Sequence, residues 1–200
     1  MMSLKKKIGI IIFSIFFILI LINVLLNNTS LLDRSVYNFI INLQSENMTN
    51  FFKIITELGG VIFTIVVCIL SLIFFKKKGL YFCIDIVSVV LINNILKNII
   101  MRPRPVGLNL IKESGYSFPS GHTMNSCALY GFIIYLVLKS NLNKYLKIFL
   151  LFICSLIILL VMTSRIYLGV HYFTDVFAGL MISIIWLLFY TEYIDNKKIY

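Results

Sequence analysis

The sequence predicts an all-α protein that crosses a membrane six times and forms a single domain over residues 1–200. Hydrophobic residues make up 60% of the chain and charged residues only 13%, whereas a soluble domain carries about 25% charged residues. Six apolar segments approach or exceed the roughly 20 residues that a helix needs to cross the hydrocarbon core. They lie at about 8–26, 59–75, 80–100, 121–138, 147–163 and 175–193. All three prolines fall outside these segments, in one loop between positions 103 and 119.

The first segment is predicted to be a retained membrane helix. It follows Lys5–Lys7, and a basic start before an apolar run is also typical of a secretory signal. The apolar run of about nineteen residues exceeds the 7–15 of a signal core, and no small-residue cleavage pattern follows it.

The basic residues between the segments predict the orientation. Eleven of the 18 alternate consistently to one side: Lys5, Lys6, Lys7, Lys76, Lys77, Lys78, Lys139, Lys144, Lys147, Lys197 and Lys198. Because basic loops remain in the cytoplasm, we expect both termini to be cytoplasmic. The same clustering suits anionic lipid headgroups better than nucleic acid, since no helix presents a basic stripe with polar surroundings.

The first extracytoplasmic loop, residues 27–56, is too polar to span a membrane. Apolar residues recur there at helical spacing, with polar residues between them: Leu32, Val36, Phe39, Ile40 and Leu43. This pattern predicts a short amphipathic helix that lies on the outer leaflet or packs over the bundle.

Two other features of the apolar segments have structural interpretations. The four cysteines occur singly, which is typical of small buried hydrophobic residues and not of a disulfide or metal site. Asp85 lies within two turns of Lys76–Lys78, so we expect a structural pairing near the inner boundary. Asn93 lies one turn from Lys97, and either supports that lysine or bonds between helices.

Three polar clusters stand out at the ends of the apolar segments. They are Lys97 with Arg104-Pro105, then Pro119-Ser120-Gly121-His122, and then Ser164-Arg165 with His171 and Asp175. Both histidines of the chain belong to this set. Even numbers of crossings separate the clusters, so they can converge on the outer surface. Three cations there, which we call the cationic bowl (Lys97, Arg104 and Arg165), match the charge of a phosphoryl group.

Each cluster taken alone has a simpler explanation. His171 and Asp175 have the spacing of a carboxylate that orients an imidazole, but also of a helix cap. Ser120 before Gly121 suits either an anion cradle or an ordinary N-cap. Lys97 alone is best explained as a side chain that reaches towards the headgroups, and Arg102 competes with Arg104 for its role.

The combined pattern is far more specific. It has the form K-x6-R-P, P-S-G-H and S-R-x5-H-x3-D, in that order, over residues 97–175. This pattern resembles the type 2 phosphatidic acid phosphatase (PAP2) family of membrane lipid phosphatases, and the six-segment topology extends the resemblance over the whole chain. The K-x6-R-P spacing also selects Arg104 over Arg102.

The resemblance implies a role for each matched residue. His171 would attack phosphorus and become a phosphohistidine, Asp175 would orient it, and His122 would protonate the leaving oxygen and then activate water. The phosphoryl oxygens would be held by Lys97, Arg104, Ser120, Gly121 and Arg165. No metal or other cofactor is expected, since only Asp175 and Glu113 could offer carboxylates there, too few for a Mg²⁺ site.

The predicted activity is hydrolysis of a lipid phosphate or diphosphate at the outer face of the cytoplasmic membrane. The compact chain resembles the family's small bacterial members, whose substrates include phosphatidylglycerophosphate, phosphatidic acid and undecaprenyl pyrophosphate. Transfer of the phosphoryl group to another lipid or sugar is the first alternative. A non-enzymatic anion- or lipid-binding protein is the second, and it would have no need of two histidines with an orienting carboxylate.

Overall fold

The regular structure of the chain is entirely helical over residues 2–198, the part that the computed structural model describes. Its eight helices are α1 Leu4–Leu25, α2 Ser30–Ile41, α3 Glu46–Glu57, α4 Val61–Phe75, α5 Lys77–Ile100, α6 Gly121–Lys139, α7 Lys144–Tyr167 and α8 Phe173–Asn196. The all-α prediction is confirmed.

Five of these helices are long and apolar enough to cross a membrane: α1, α5, α6, α7 and α8. The predicted second span differs, because α4 has 15 residues and reaches only about 22 Å at the usual rise per residue. It meets α3 at a 40° bend, and the pair together passes the same test as a broken span. The chain is therefore a multi-pass membrane protein with five spans, or six if α3 and α4 are counted as one.

The centre of the bundle is α6. It packs against α5, α7 and α8, while α1 lies along α8 and α4 lies along α5. Phe132, Met124 and Val89 are almost completely buried at this centre. Large apolar side chains cover the outside of α1 and α7, for example Ile11, Leu19 and Phe152. Such a surface is stable in lipid and would aggregate in water.

A polar contact inside the bundle joins α5 to α8. Asp85 Oδ1 accepts a hydrogen bond from Trp186 Nε1 at 2.8 Å, so the bonding partner of this carboxylate is an indole and not the predicted lysine. The reason is geometric, since Asp85 is fully buried and faces the neighbouring helix. Asn93 bonds outside its own helix, donating from Nδ2 to the Pro119 carbonyl at 3.0 Å.

The loop after α1 contains two helices where the sequence predicted one. In α2, Val36 and Ile40 pack against α7 and α8, whereas Leu32 and Phe39 are exposed and Asp33 is buried. The helix therefore turns a polar residue inwards and part of its apolar face outwards. The second helix, α3, packs Phe52 against Tyr167 of α7. Its N-cap is Ser45, whose hydroxyl accepts from the backbone N–H of Met48.

Candidate active site

The three polar clusters converge because four helices begin or end at the same end of the bundle. Lys97 lies in the last turn of α5, His122 in the first turn of α6, Arg165 in the last turn of α7 and Asp175 in the first turn of α8. The loop 101–120 carries Arg104 to the same place. Sequence positions up to 78 residues apart thus surround one site.

His171 lies in the short segment between α7 and α8 and is only 2% exposed. Its Nε2 is 3.1 Å from Arg104 Nη1. Because a guanidinium only donates hydrogen bonds, Nε2 accepts, and the proton of the neutral ring lies on Nδ1. Burial lowers the pKa of His171 well below its usual value of 6.5, and the charges of Arg165 and Arg104 lower it further. The ring is therefore neutral at pH 7, with the lone pair of Nε2 directed into the site.

Asp175 stands behind this ring and also caps α8. Its Oδ2 is 3.5 Å from His171 Nδ1, longer than the hydrogen bond that the sequence led us to expect. The same oxygen accepts the backbone N–H of Tyr172 at 2.9 Å, which satisfies a free donor at the start of the helix. The structure thus shows the capping bond of this carboxylate, and its orienting role stays a prediction.

Arg102 and Arg104 point to different partners, although they are two residues apart. Arg102 donates to Asp175 Oδ1 and, at 2.8 Å, to Asp33 Oδ2, so it joins α2 to α8. Thr174 adds two further hydrogen-bond donors to Asp33. Arg104 instead contacts His171, as the K-x6-R-P spacing suggested.

Backbone carbonyls fix the guanidinium of Arg104 in place. Its nitrogens donate to the carbonyl oxygens of Ser114, Gly115 and Val170 at 2.9–3.0 Å. These bonds also hold the loop against the segment that carries His171. A further contact between the two is made by Gly169, at φ +68°, where an added Cβ would lie 2.1 Å from the Leu108 carbonyl oxygen.

Arg165 is fully buried under the site, with no exposed surface. Its Nη1 donates to Thr56 Oγ1 at 2.7 Å, and its Nη2 donates to Glu113 Oε1 at 2.5 Å. Its Nε has no hydrogen-bond partner. Lys97, the third cation of the bowl, donates from Nζ to the Tyr116 carbonyl at 2.6 Å.

The P-S-G-H segment forms the start of α6. Ser120 is the N-cap, and its hydroxyl accepts from Thr123 Oγ1 at 3.1 Å. At Gly121, a Cβ would come within 3.1 Å of Asn93 Oδ1. His122 is half-buried, with Arg165, Glu113, His171 and Arg104 as its charged or ionisable neighbours.

Three residues at this site were not predicted as part of it: Asp33, Thr56 and Glu113. Asp33 and Thr56 belong to the loop helices α2 and α3, and no spacing rule links them to residues more than 100 positions away. Glu113 was expected to offer a carboxylate near the site, but no role was assigned to it. It faces an open cavity of about 590 Å³ that Arg104, Asn109 and Gly115 also line.

Comparison with known proteins identifies the family and the fold. Residues 78–199 match the PAP2 superfamily. Phosphatidylglycerophosphatase B of Bacillus subtilis is 38% identical over 150 residues, which cover 72% of this chain and 73% of that protein. A dihydrosphingosine 1-phosphate phosphatase of Schizosaccharomyces pombe is 29% identical over 136 residues, covering 62% of this chain but 33% of its own length.

Two solved structures share the fold. A transmembrane PAP2-type phosphatidylglycerolphosphate phosphatase from Bacillus subtilis superposes with a TM-score of 0.86 at 27% identity, covering 94% of this chain and 96% of that one. LpxE of Aquifex aeolicus gives a TM-score of 0.67 at 27% identity, covering 81% of this chain and 96% of that one. Since the family match spans more than half of the residues and the fold agrees with a solved relative over almost the entire length, the chain belongs to the PAP2 superfamily of lipid phosphatases.

Proposed function

We propose that this protein hydrolyses the terminal phosphate of a membrane lipid, a monoester or diphosphate, through a phosphohistidine on His171. The observation that carries the proposal is the neutral imidazole whose Nε2 faces Arg104 at 3.1 Å inside a ring of cations. A neutral nitrogen is a nucleophile, and fixed donors around it stabilise the charge that develops on the phosphoryl oxygens.

The reaction takes two steps. In the first, the lone pair of Nε2 forms a bond to phosphorus while the bond from phosphorus to the lipid oxygen breaks. His122, which takes up a proton once the substrate's negative charge lies beside it, gives that proton to the lipid oxygen, and the lipid alcohol leaves. In the second, His122 takes a proton from water, the hydroxide attacks phosphorus and the N–P bond breaks. Inorganic phosphate is released and both histidines return to their starting forms.

The bowl and the carboxylate behind the ring have separate tasks in this scheme. Arg104 and Arg165 hold the phosphoryl oxygens, and Lys97, Ser120 and Gly121 complete the cradle. Asp175, 3.5 Å from Nδ1, stabilises the positive charge that the ring acquires when Nε2 bonds to phosphorus.

The donor set at the site supports a reaction without a metal. Asp175 is engaged by Arg102 and Tyr172, and Glu113 by Arg165. Within residues 2–198, no three histidine, cysteine or acidic side chains are grouped so that they could hold a metal ion. Positive charge from side chains takes the place that Mg²⁺ has in other phosphoryl-transfer sites.

The substrate class follows from the membrane setting and the relatives. A site at the end of a lipid-facing bundle admits a headgroup while the tail stays in the bilayer. The positive-inside rule puts this end on the outer face of the cytoplasmic membrane. Phosphatidylglycerophosphate is the first candidate, given the similarity to a phosphatidylglycerophosphatase, followed by phosphatidic acid and undecaprenyl pyrophosphate.

The test is release of inorganic phosphate from these three lipids by purified protein in detergent with EDTA. We expect turnover of at least one lipid, and a fall of at least about 10³-fold in His171→Ala. Lys112→Ala, a change in the loop between α5 and α6, is the control. Full activity of His171→Ala would refute the nucleophile, and loss of activity in EDTA alone would refute metal independence. If a labelled phosphoryl group appears in lipid and not in free phosphate, the reaction is phosphoryl transfer and not hydrolysis.

A further inference from the structure

The cationic bowl already holds an anion, the carboxylate of Glu113. Its Oε1 accepts from Arg165 Nη2 at 2.5 Å, and its Oε2 lies 3.8 Å from Arg104 Nη2. One carboxylate therefore bridges two of the three cations. The two arginines are 0% and 11% exposed, whereas Glu113 is 24% exposed and faces the open cavity.

A phosphoryl group that enters from this cavity competes with Glu113 for the same donors. Arg165 donates one hydrogen bond from Nη1 to Thr56 and one from Nη2 to Glu113. Arg104 uses its three nitrogens on backbone carbonyls as well as His171. An incoming anion can bond the unpaired Nε of Arg165 while Glu113 stays in place, but it shares the charge of Arg165 with that carboxylate until the Glu113 side chain moves away. This movement does not require the loop to open, because the neighbouring Ser114 and Gly115 carbonyls remain bonded to Arg104.

Building on the proposed hydrolysis of lipid phosphates, we propose that Glu113 is a charge filter that admits terminal phosphates and excludes phosphodiester headgroups. A phosphodiester carries one negative charge, so its exchange for the carboxylate brings no gain in attraction to the bowl. A terminal phosphate carries about 1.5 to 2 negative charges at pH 7, and its exchange for Glu113 adds charge next to buried cations. An anion therefore binds only if its attraction to the cations exceeds that of the Glu113 carboxylate, and a monoanion does not meet this condition.

The membrane around the site contains competing anions that such a filter would exclude. The site opens into a bilayer in which phosphodiester lipids are at far higher concentration than any substrate. A bowl of three unneutralised cations would be saturated by these headgroups. With Glu113 in place, the resting site is partly neutralised, and the buried Arg165 has a partner whenever substrate is absent.

The test uses Glu113→Gln, which removes the charge but keeps a carbonyl oxygen that accepts from Arg165. The probes are inorganic phosphate at pH 8, mainly a dianion, and dimethyl phosphate, a monoanion. We expect the inhibition constant of dimethyl phosphate to fall about tenfold in Glu113→Gln and that of inorganic phosphate to fall less, so that the preference for the dianion narrows and dimethyl phosphate becomes a measurable inhibitor. We also expect the KM for lipid substrate to fall without a rise in kcat. Glu46→Gln removes the same charge from the exposed start of α3 and should change neither constant.

The sign of the effect separates the filter from a structural role. If Glu113 only positioned Arg165, its removal would weaken binding, and inhibition constants that rise or stay unchanged would overturn the proposal. Thermal unfolding supplies a readout without catalysis: phosphate and dimethyl phosphate should raise the Tm of Glu113→Gln more than that of the wild type. A variant that neither folds nor recovers with phosphate would also refute the filter. Absence of lipid hydrolysis by the wild type would refute the proposed function, while the Tm shifts would still decide on the filter.

Discussion

The two ends of the bundle both carry clustered charges, but the clusters are built in opposite ways. At the end opposite to the bowl, two lysines and two acids neutralise one another; we call this the terminal ion cluster (Lys6, Lys139, Glu192 and Asp195). Its contacts are 2.8–3.1 Å long, and its side chains are 14–52% exposed. In the bowl, one carboxylate, that of Glu113, contacts two of the three cations, and Arg165 has no exposed surface.

The difference separates a cluster that is suited to bind an anion from one that is structural. Exposed, balanced pairs contribute little, because water competes with every contact. Buried charge of one sign is costly to the fold, and it persists where an incoming anion can use it. Four predictions test this contrast between the bowl and the terminal ion cluster, and their expected effects decrease in the order given.

The largest effect is expected from a change of Arg165 to lysine. The charge is kept but the planar fork of donors is lost, and removal of one such donor in an oxyanion site costs about 10²–10³ in kcat. The measurement is kcat for lipid phosphate hydrolysis. Lys139→Arg, the reverse exchange in the terminal ion cluster, should remain within about twofold of wild type. An Arg165→Lys variant with near-normal kcat would remove the functional contrast between the two ends.

The second prediction separates the two arginines of the loop. Arg104→Ala should lower kcat/KM about 10²-fold, because it removes the donors beside the His171 ring. It should lower the Tm less than Arg102→Ala, because the carbonyl oxygens that it leaves without a partner are uncharged. Arg102→Ala leaves Asp33 and Asp175 buried without their cation, a loss on the order of 3–5 kcal/mol. It should therefore lower the Tm strongly. Activity assays and thermal unfolding of the two variants check this, and the opposite pattern would exchange their roles.

The third prediction concerns the pH dependence of stability. In the unfolded chain, His171 takes up a proton as the pH falls through about 6.5, whereas the folded ring stays neutral to lower pH. Below about pH 6.5 the unfolded state therefore binds more protons than the folded state, so the free energy of unfolding decreases as the pH decreases. His171→Asn removes this contribution, and its Tm should fall less than that of the wild type between pH 7.5 and 5.5. Parallel Tm curves would show that the ring titrates normally.

The smallest effect is expected in the terminal ion cluster. Lys6→Gln removes the contacts with Glu192 and Asp195 at about 3 Å. Since partly exposed pairs contribute about 0–1 kcal/mol, the Tm should change slightly and kcat should stay within about twofold. A large loss of activity would mean that this end is coupled to the site, and the contrast drawn between the two ends would then be wrong.

Much of the fold was predictable because lipid imposes a strong constraint on helix length and composition. The segment predicted at 121–138 corresponds to α6 at Gly121–Lys139. The prediction of the second span was less accurate, because hydropathy detects the apolar α4 but not the bend that joins it to the more polar α3. The sequence also failed to predict which face of α2 turns inwards. Asp33 on that face is held by bonds from Arg102 and Thr174, and the periodicity of α2 itself does not reveal these partners.

By itself, the sequence determined the class of protein, the apolar helices and the three motifs. These depend on local composition and spacing, which hydrocarbon thickness and chemistry restrict to few outcomes. Only the tertiary structure decided that Arg102 joins Asp33 to Asp175, that Asp175 both caps α8 and stands behind the ring, and that Glu113 occupies the bowl. Such pairings join residues up to 73 positions apart. They arise from which helix ends meet, a property of packing that no spacing rule contains.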